Sequence, residues 1–203
     1  MVIDRLIELA AVNGAPVQQL RFAVFDQASG KAALEIPVLH AVVDTSLPAH
    51  IAKRIAVRNV DRSQQYASFA DILARPDRLY RMDATQFEEF VAGVYTQLGY
   101  TVFATKQSHD GGVDLMLENV IDGMPHRYIV QCKHTMKKSR RIGVAAVREL
   151  MGSLLDWAAT AAIVVTNTLF SREALAYMQR RARNCFCVDK NSFLDLLRKA
   201  VLA

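Results

Sequence analysis

The sequence predicts a mixed α/β fold: a helix-flanked sheet over residues 79–203, preceded by a small α+β domain over residues 1–78. Three observations carry that prediction. From Thr85 onward, segments with apolar residues at helical spacing alternate with short β-prone runs. The run Ala161–Val165 is apolar without interruption, as in a strand covered on both faces, so helices belong on both sides of the sheet. Pro76 closes a helical pattern and marks the boundary near Arg78.

In chain order, residues 2–12 place Ile3, Leu6, Ile7 and Ala10 at helical spacing before Asn13-Gly14 ends the helix. Val17–Asp26 and Lys31–Asp44 are β-prone about the turn Ala28-Ser29-Gly30, a hairpin with room for a third strand at His40–Asp44. Pro48 opens a short helix with Ile51, Ala52 and Ile55 on one side and Lys53, Arg54 and Arg58 exposed. Gln64–Ala74 is a further helix. No motif marks this N-terminal part, and a helix, a hairpin and basic residues suit DNA recognition, oligomerisation or partner sensing.

The second part opens with a helix from Thr85 that carries Phe87, Phe90, Val91, Val94 and Leu98 on one face and ends at Gly99. A strand at Tyr100–Ala104 follows, then a hairpin of Val113–Val120 and Tyr128–Cys132 about Asp122-Gly123 and Pro125. Val144–Ala158 is helical with Val144, Val147, Met151 and Leu154 inward, and Ala161–Val165 is the buried strand. Ser171 caps a basic helix to Arg183, Cys185–Val188 is a strand, and Ser192–Val201 is the closing helix.

The hairpin carries the chemistry. Strand side chains alternate, so Gln131 and Lys133 point the same way, roughly 7 Å apart, while Cys132 faces the other layer. Burying an amide and an ammonium requires an acidic neighbour, a bound ion or a water-filled cleft. Asp114 on the partner strand is the candidate acid, and Gly111-Gly112 before it lets the backbone turn sharply and approach a large anionic ligand. Asp110 shapes the glycine turn. A simple cross-strand ion pair between Asp114 and Lys133 is the plain alternative. Gln131 has its own, a hydrogen bond to a neighbouring strand end. Glu88 has another, because Thr85-Gln86-Phe87-Glu88 reads as a capping box.

Taken together, DGGVD, QCK, the helix FEEFVAGVYTQLGY, and the later GVAAVRELMG and IVVTNTLFS resemble, in this order, the Mrr-type restriction endonucleases of the PD-(D/E)xK superfamily. The resemblance covers about residues 79–203. It implies a restriction-endonuclease-like fold and a divalent metal, Mg²⁺ or Mn²⁺ in its place, that activates water against a DNA phosphodiester. The residues it implies are Asp114, Gln131 and Lys133, with Glu88 on the helix and the backbone carbonyl of Cys132 as a further metal ligand. Lys133 then orients or deprotonates the attacking water, or stays charged and stabilises the transition state. The middle position is Gln131, usual in the Mrr branch, where the wider superfamily has Glu; it brings one less negative charge to the metal.

Six basic residues, His134, Lys137, Lys138, Arg140, Arg141 and Arg148, follow the site directly and are expected to clamp the phosphates of double-stranded DNA, Arg148 foremost. Little aromatic interleaving argues against single-strand stacking. A net charge of +5 gives weak support for an anionic partner. Cys132, Cys185 and Cys187 form no CxxC pair and read as reduced packing thiols of a cytoplasmic protein. Neither a leader peptide nor a membrane span is expected. A catalytically silent DNA-binding module and a structure-specific repair nuclease are the alternatives to a restriction or phage-defence endonuclease. DNA sequence or methylation specificity, the trigger for activity and oligomeric state, a homodimer included, stay open.

Overall fold

The computed structural model of the protein describes residues 18–25, 32–40, 49–56, 69–105, 111–121 and 124–202. The chain falls into two compact units, Met1–Leu47 with Val120–Pro125, and Pro48–Asn119 with His126–Ala203. In the first, the β-prone residues pair as expected: β1 (Gln18–Phe25) and β2 (Ala32–His40) form an antiparallel ladder running from Gln18↔His40 to Phe25↔Ala32. The helix expected at 2–12 and the residues 41–44 of the expected third strand lie outside the described residues.

The second unit begins earlier than the proline punctuation suggests. α1 (Ala49–Ala52) is a single turn, and β3 (Ile55–Ala56) follows it, so Ile55 sits in a strand opposite Thr105 and not on a helix face. Residues 69–74 are helical. Ile51, Phe69 and Ile72 are buried, and the Phe69 ring meets Phe90 edge-on at 5.2 Å. These apolar side chains therefore belong to the larger core. Pro76 opens a 3-10 turn, Pro76–Arg81, that buries Leu79 completely.

The rest of the unit runs α2 (Ala84–Gln97), β4 (Thr101–Thr105), β5 (Leu115–Ile121), β6 (Met124–Lys133), β7 (Arg141–Ile142), α3 (Val144–Gly152), β8 (Ala161–Thr166), β9 (Leu169–Phe170), α4 (Arg172–Arg181), β10 (Cys185–Val188) and α5 (Lys190–Leu202). Six strands make one sheet in the order β10-β8-β6-β5-β4-β3. β3, β4 and β5 pair antiparallel, β5 and β6 are joined by two residues as a hairpin, and β6, β8 and β10 are parallel. The uninterrupted apolar run becomes β8, buried along its whole length between β6 and β10. α2 and α5 pack through Phe87, Phe90 and Phe193, with rings 5.8 and 6.0 Å apart. α3 packs on β8 and on α4.

Several element ends depart from the sequence expectation: β5 starts at Leu115, β6 at Met124, and α4 ends at Arg181. α3 stops at Gly152 and not Ala158; the chain turns from Ser153 on, reaching a φ of 45° at Ala158, while still burying Leu154 and Trp157, whose apolar spacing imitates helix. α5 starts early, and Asp189 Oδ1 accepts from the Ser192 amide at 2.9 Å. Among the described residues no helix is long and apolar enough to cross a membrane.

Candidate active site

The loop into β5 begins with two left-handed residues, Gly111 at φ +65° and Gly112 at φ +77°. Both are also pressed by neighbours: a Cβ on Gly111 would stand 2.3 Å from Ser153 Oγ, and one on Gly112 would stand 2.2 Å from Gln131 Nε2. Glycine is required there by conformation and by space alike. The loop delivers Asp114 to β6 in a fixed pose. Its amide donates to the Val130 carbonyl at 2.9 Å, its carbonyl accepts from the Thr105 amide at 3.0 Å, and Oδ2 accepts from the Cys132 amide at 2.6 Å.

On β6, strand alternation sends Gln131 and Lys133 to the same side, as expected, and there they meet a residue the sequence reading did not place in the site. Glu149 of α3 brings Oε2 to 3.1 Å from Gln131 Nε2 and 3.4 Å from Lys133 Nζ. Lys133 and Glu149 thus form an ion pair at the edge of the site. Gln131 is 1% exposed, and with Nε2 committed to Glu149 its Oε1 has no hydrogen-bond partner among the described residues. Among those residues no three His, Cys, Asp or Glu side chains form a metal-holding cluster. The oxygens attached to this stretch of β6 are the carboxylates of Asp114 and Glu149 and the Gln131 amide.

Glu88 is not part of a capping box. The box forms two residues earlier: Asp83 accepts from the Gln86 amide at 2.8 Å, and Gln86 Oε1 accepts from the Asp83 amide at 3.0 Å. Glu88 is close enough to Cys132 to act on it electrostatically. Burial pushes the Cys132 thiol well up, the charges of Asp114 and Glu88 add to this, and Lys133 opposes it. Cys132 is therefore a protonated packing group, and burial likewise pushes Cys185 and Cys187 up to about 12.

The expected basic clamp separates into parts. His134 turns its ring to Phe87 and sets Nε2 3.0 Å from the Leu79 carbonyl. Lys138 pairs with Asp77 at 2.6 Å. Lys137 and Arg140 are exposed on the loop after β6, and Arg141 is exposed on β7, which follows it. The TNT triplet at the end of β8, Thr166-Asn167-Thr168, holds that loop. Thr166 Oγ1 donates to the Lys133 carbonyl at 2.6 Å, Thr168 Oγ1 to the Arg140 carbonyl at 2.6 Å, and the fully buried Asn167 binds both the amide and the carbonyl of Thr135. Arg148, next to Glu149, stacks over Tyr177 at 4.9 Å in a groove of about 530 Å³ also lined by Arg172, Arg180 and Arg181.

A family model described as restriction endonuclease, of the Mrr catalytic type, matches residues 79–197. The uncharacterized protein y4cE of Sinorhizobium fredii is 29% identical over 137 residues, covering 58% of this chain and 35% of that protein, so the chain spans about a third of that relative's length. Among solved structures, the DNA modification-dependent restriction endonuclease AspBHI is similar with a TM-score of 0.53 at 13% identity, over 90% of this chain and 56% of that one. The MspJI restriction endonuclease in complex with a 27-mer oligonucleotide gives a TM-score of 0.45 at 14% identity, over 81% and 37%. The AspBHI likeness is one of fold; the family match takes in more than half of the chain, including α2, Asp114, Gln131, Lys133 and Glu149, and by it the chain belongs to the Mrr-type restriction endonuclease family.

Proposed function

We propose that the chain is a metal-dependent endonuclease that hydrolyses phosphodiesters of double-stranded DNA in the cytoplasm, in restriction or phage defence. The observation that carries this reading is the Gln131 amide. A buried acceptor left without a donor costs about 1–3 kcal/mol, and among the described residues Gln131 Oε1, two residues from Lys133 and on the strand that anchors Asp114, meets no donor. A divalent cation bound there would relieve it. Asp114, Gln131 Oε1 and the Cys132 carbonyl are hard oxygen donors suited to Mg²⁺, or to Mn²⁺ in its place, and Mg²⁺ retains several waters and so needs few protein ligands. Bound there, the cation supplies Lewis-acid stabilisation of charge on the phosphoryl oxygens.

The chain's own residues supply the rest. Asp114 is held by its backbone and by the Cys132 amide, so it meets its ligand without reorganising. Lys133, a third exposed, presents Nζ at the mouth of the site, where it orients the attacking water or stabilises the developing phosphoryl charge. Glu88 on α2, near enough to Cys132 to act on its thiol electrostatically, would add a further carboxylate to such a site. Lys137 and Arg140, on a loop fixed by Asn167, and Arg141 just after it contact backbone phosphates, and Arg148 offers a guanidinium steadied by Tyr177. Incubation with methylated, unmethylated and branched duplexes, each with Mg²⁺ and with EDTA, tests the reading. Cleavage of at least one duplex in Mg²⁺ alone is expected. Tight binding with no cleavage of any substrate would leave a DNA-binding module without nuclease activity.

A further inference from the structure

We propose that Glu149 is the second carboxylate of the metal site, supplied from helix α3 to make good the acid that β6 lacks at Gln131; the inference rests on the nuclease reading above. A neutral amide at position 131 leaves the strand one negative charge short of what a site of two strand acids would bring to a divalent cation. Glu149 restores that charge within hydrogen-bond distance of the same amide, its Oε2 lying 3.1 Å from Gln131 Nε2. The Gln131 side chain thereby acquires two tasks: Nε2 holds the carboxylate, and the wholly buried Oε1 is left facing no donor among the described residues.

Two further features fit a carboxylate kept in position for a ligand better than a solvated ion pair. A Cβ at position 112 would stand 3.0 Å from Glu149 Oε1, so the glycine turn leaves room for this carboxylate as well as for the amide. The partnership with Lys133 has side chains 34% and 51% exposed, and ion pairs so open to water contribute little to stability. A buried amide with an unmatched oxygen is not needed to hold such a pair. Helix α3 separates its neighbours accordingly: Ala146, Val147 and Leu150 enter the core, Arg148 goes to Tyr177, and Glu149 reaches β6.

Calorimetric titration of the full chain with Mn²⁺, without DNA, decides the matter. Glu149→Gln keeps the shape of the side chain, and its metal affinity is expected to fall by about tenfold or more. Its melting temperature without metal is expected to stay near the wild-type value. The double variant Gln131→Glu with Glu149→Gln moves the carboxylate back to the strand and is expected to recover most of the lost affinity. Asp114→Asn serves as the control for the nuclease reading and is expected to abolish binding. If Glu149→Gln binds Mn²⁺ as tightly as wild type while Asp114→Asn does not bind, Glu149 is only a partner for Lys133 and the inference fails while the nuclease reading stands. A double variant no better than Glu149→Gln alone also overturns it. Absence of Mn²⁺ binding in the wild-type chain would remove the metal-dependent reading itself, and the inference with it.

Discussion

Gln131 holds a carboxylate with one end of its amide, so replacing it with an acid changes two interactions at once. In Gln131→Glu a second carboxylate faces Glu149 Oε2 across the present 3.1 Å contact, and two carboxylates that close repel. We expect the metal-free variant to lose roughly 1–3 kcal/mol, as when a buried hydrogen bond becomes an unfavourable contact. Added Mg²⁺ should raise its melting temperature more than it raises that of wild type, because the cation then has one more negative charge to neutralise. Melting curves with and without Mg²⁺ check this; an unchanged metal-free melting temperature would mean that the two side chains do not share a site. That Gln131 and Lys133 face the same way was legible in the sequence because they lie two residues apart on β6, where period-two alternation fixes their direction; Asp114, expected on the partner strand, sits instead in the loop just before β5. Glu149 was not legible. It arrives from a helix eighteen residues beyond Gln131 and follows a run of basic residues, so only the packing of α3 on the sheet reveals it. The cap of α2 was ambiguous for another reason: Asp83…Gln86 and Thr85…Glu88 both have the spacing of a capping box, and the fold selects the first.

At the scale of elements, the loop after β6 owes its shape to the triplet Thr166-Asn167-Thr168, a contribution that the motif IVVTNTLFS did not announce. Asn167 is fully buried and joins that loop to the 3-10 turn, donating to the carbonyls of Thr135 and Leu79 while accepting from the Thr135 amide. Removing this side chain leaves several backbone groups unmatched, so Asn167→Ala should cost about 2–3 kcal/mol at typical penalties for buried unsatisfied groups. Because Lys137 and Arg140 ride on the same loop, the variant should also bind DNA with a shallower salt dependence, each lost phosphate contact lowering the log-log slope by roughly 0.9. Denaturant melts and binding measured over a range of salt read the two effects separately. A destabilised variant with an unchanged slope would show that the loop's charges are merely solvated. Element identity was well readable where period and length agreed, as in β8, α4 and β10. It failed at Ile55 and beyond Gly152, where a two-residue strand and a buried turn carry apolar residues at spacings that a helix would also produce.

For the whole molecule, the boundary matters most. Pro76 looked like a linker, yet Ile51, Phe69 and Ile72 are buried in the larger unit and β3 pairs with β4, contacts too distant in sequence for local signals to show. A fragment of residues 48–203 should therefore unfold cooperatively, whereas one of residues 79–203 should be less stable by several kcal/mol, since each large apolar side chain that loses its burial forfeits about 1.5–3 kcal/mol. Urea melts of the two fragments compare them; equal midpoints would place the boundary at Pro76 after all. What residues 1–47 contribute, recognition of DNA or assembly, is then read from the change in specificity of the 48–203 fragment. The central claim is that Asp114 and Lys133 belong to a hydrolytic centre distinct from the surface that grips DNA. Its most direct test measures Mg²⁺-dependent cleavage and DNA affinity side by side for the full wild-type chain, Asp114→Asn and Lys133→Ala. Both variants should lose cleavage and keep their affinity within a few fold, because phosphate contacts elsewhere supply the binding. Undiminished cleavage by either pure variant would contradict the account.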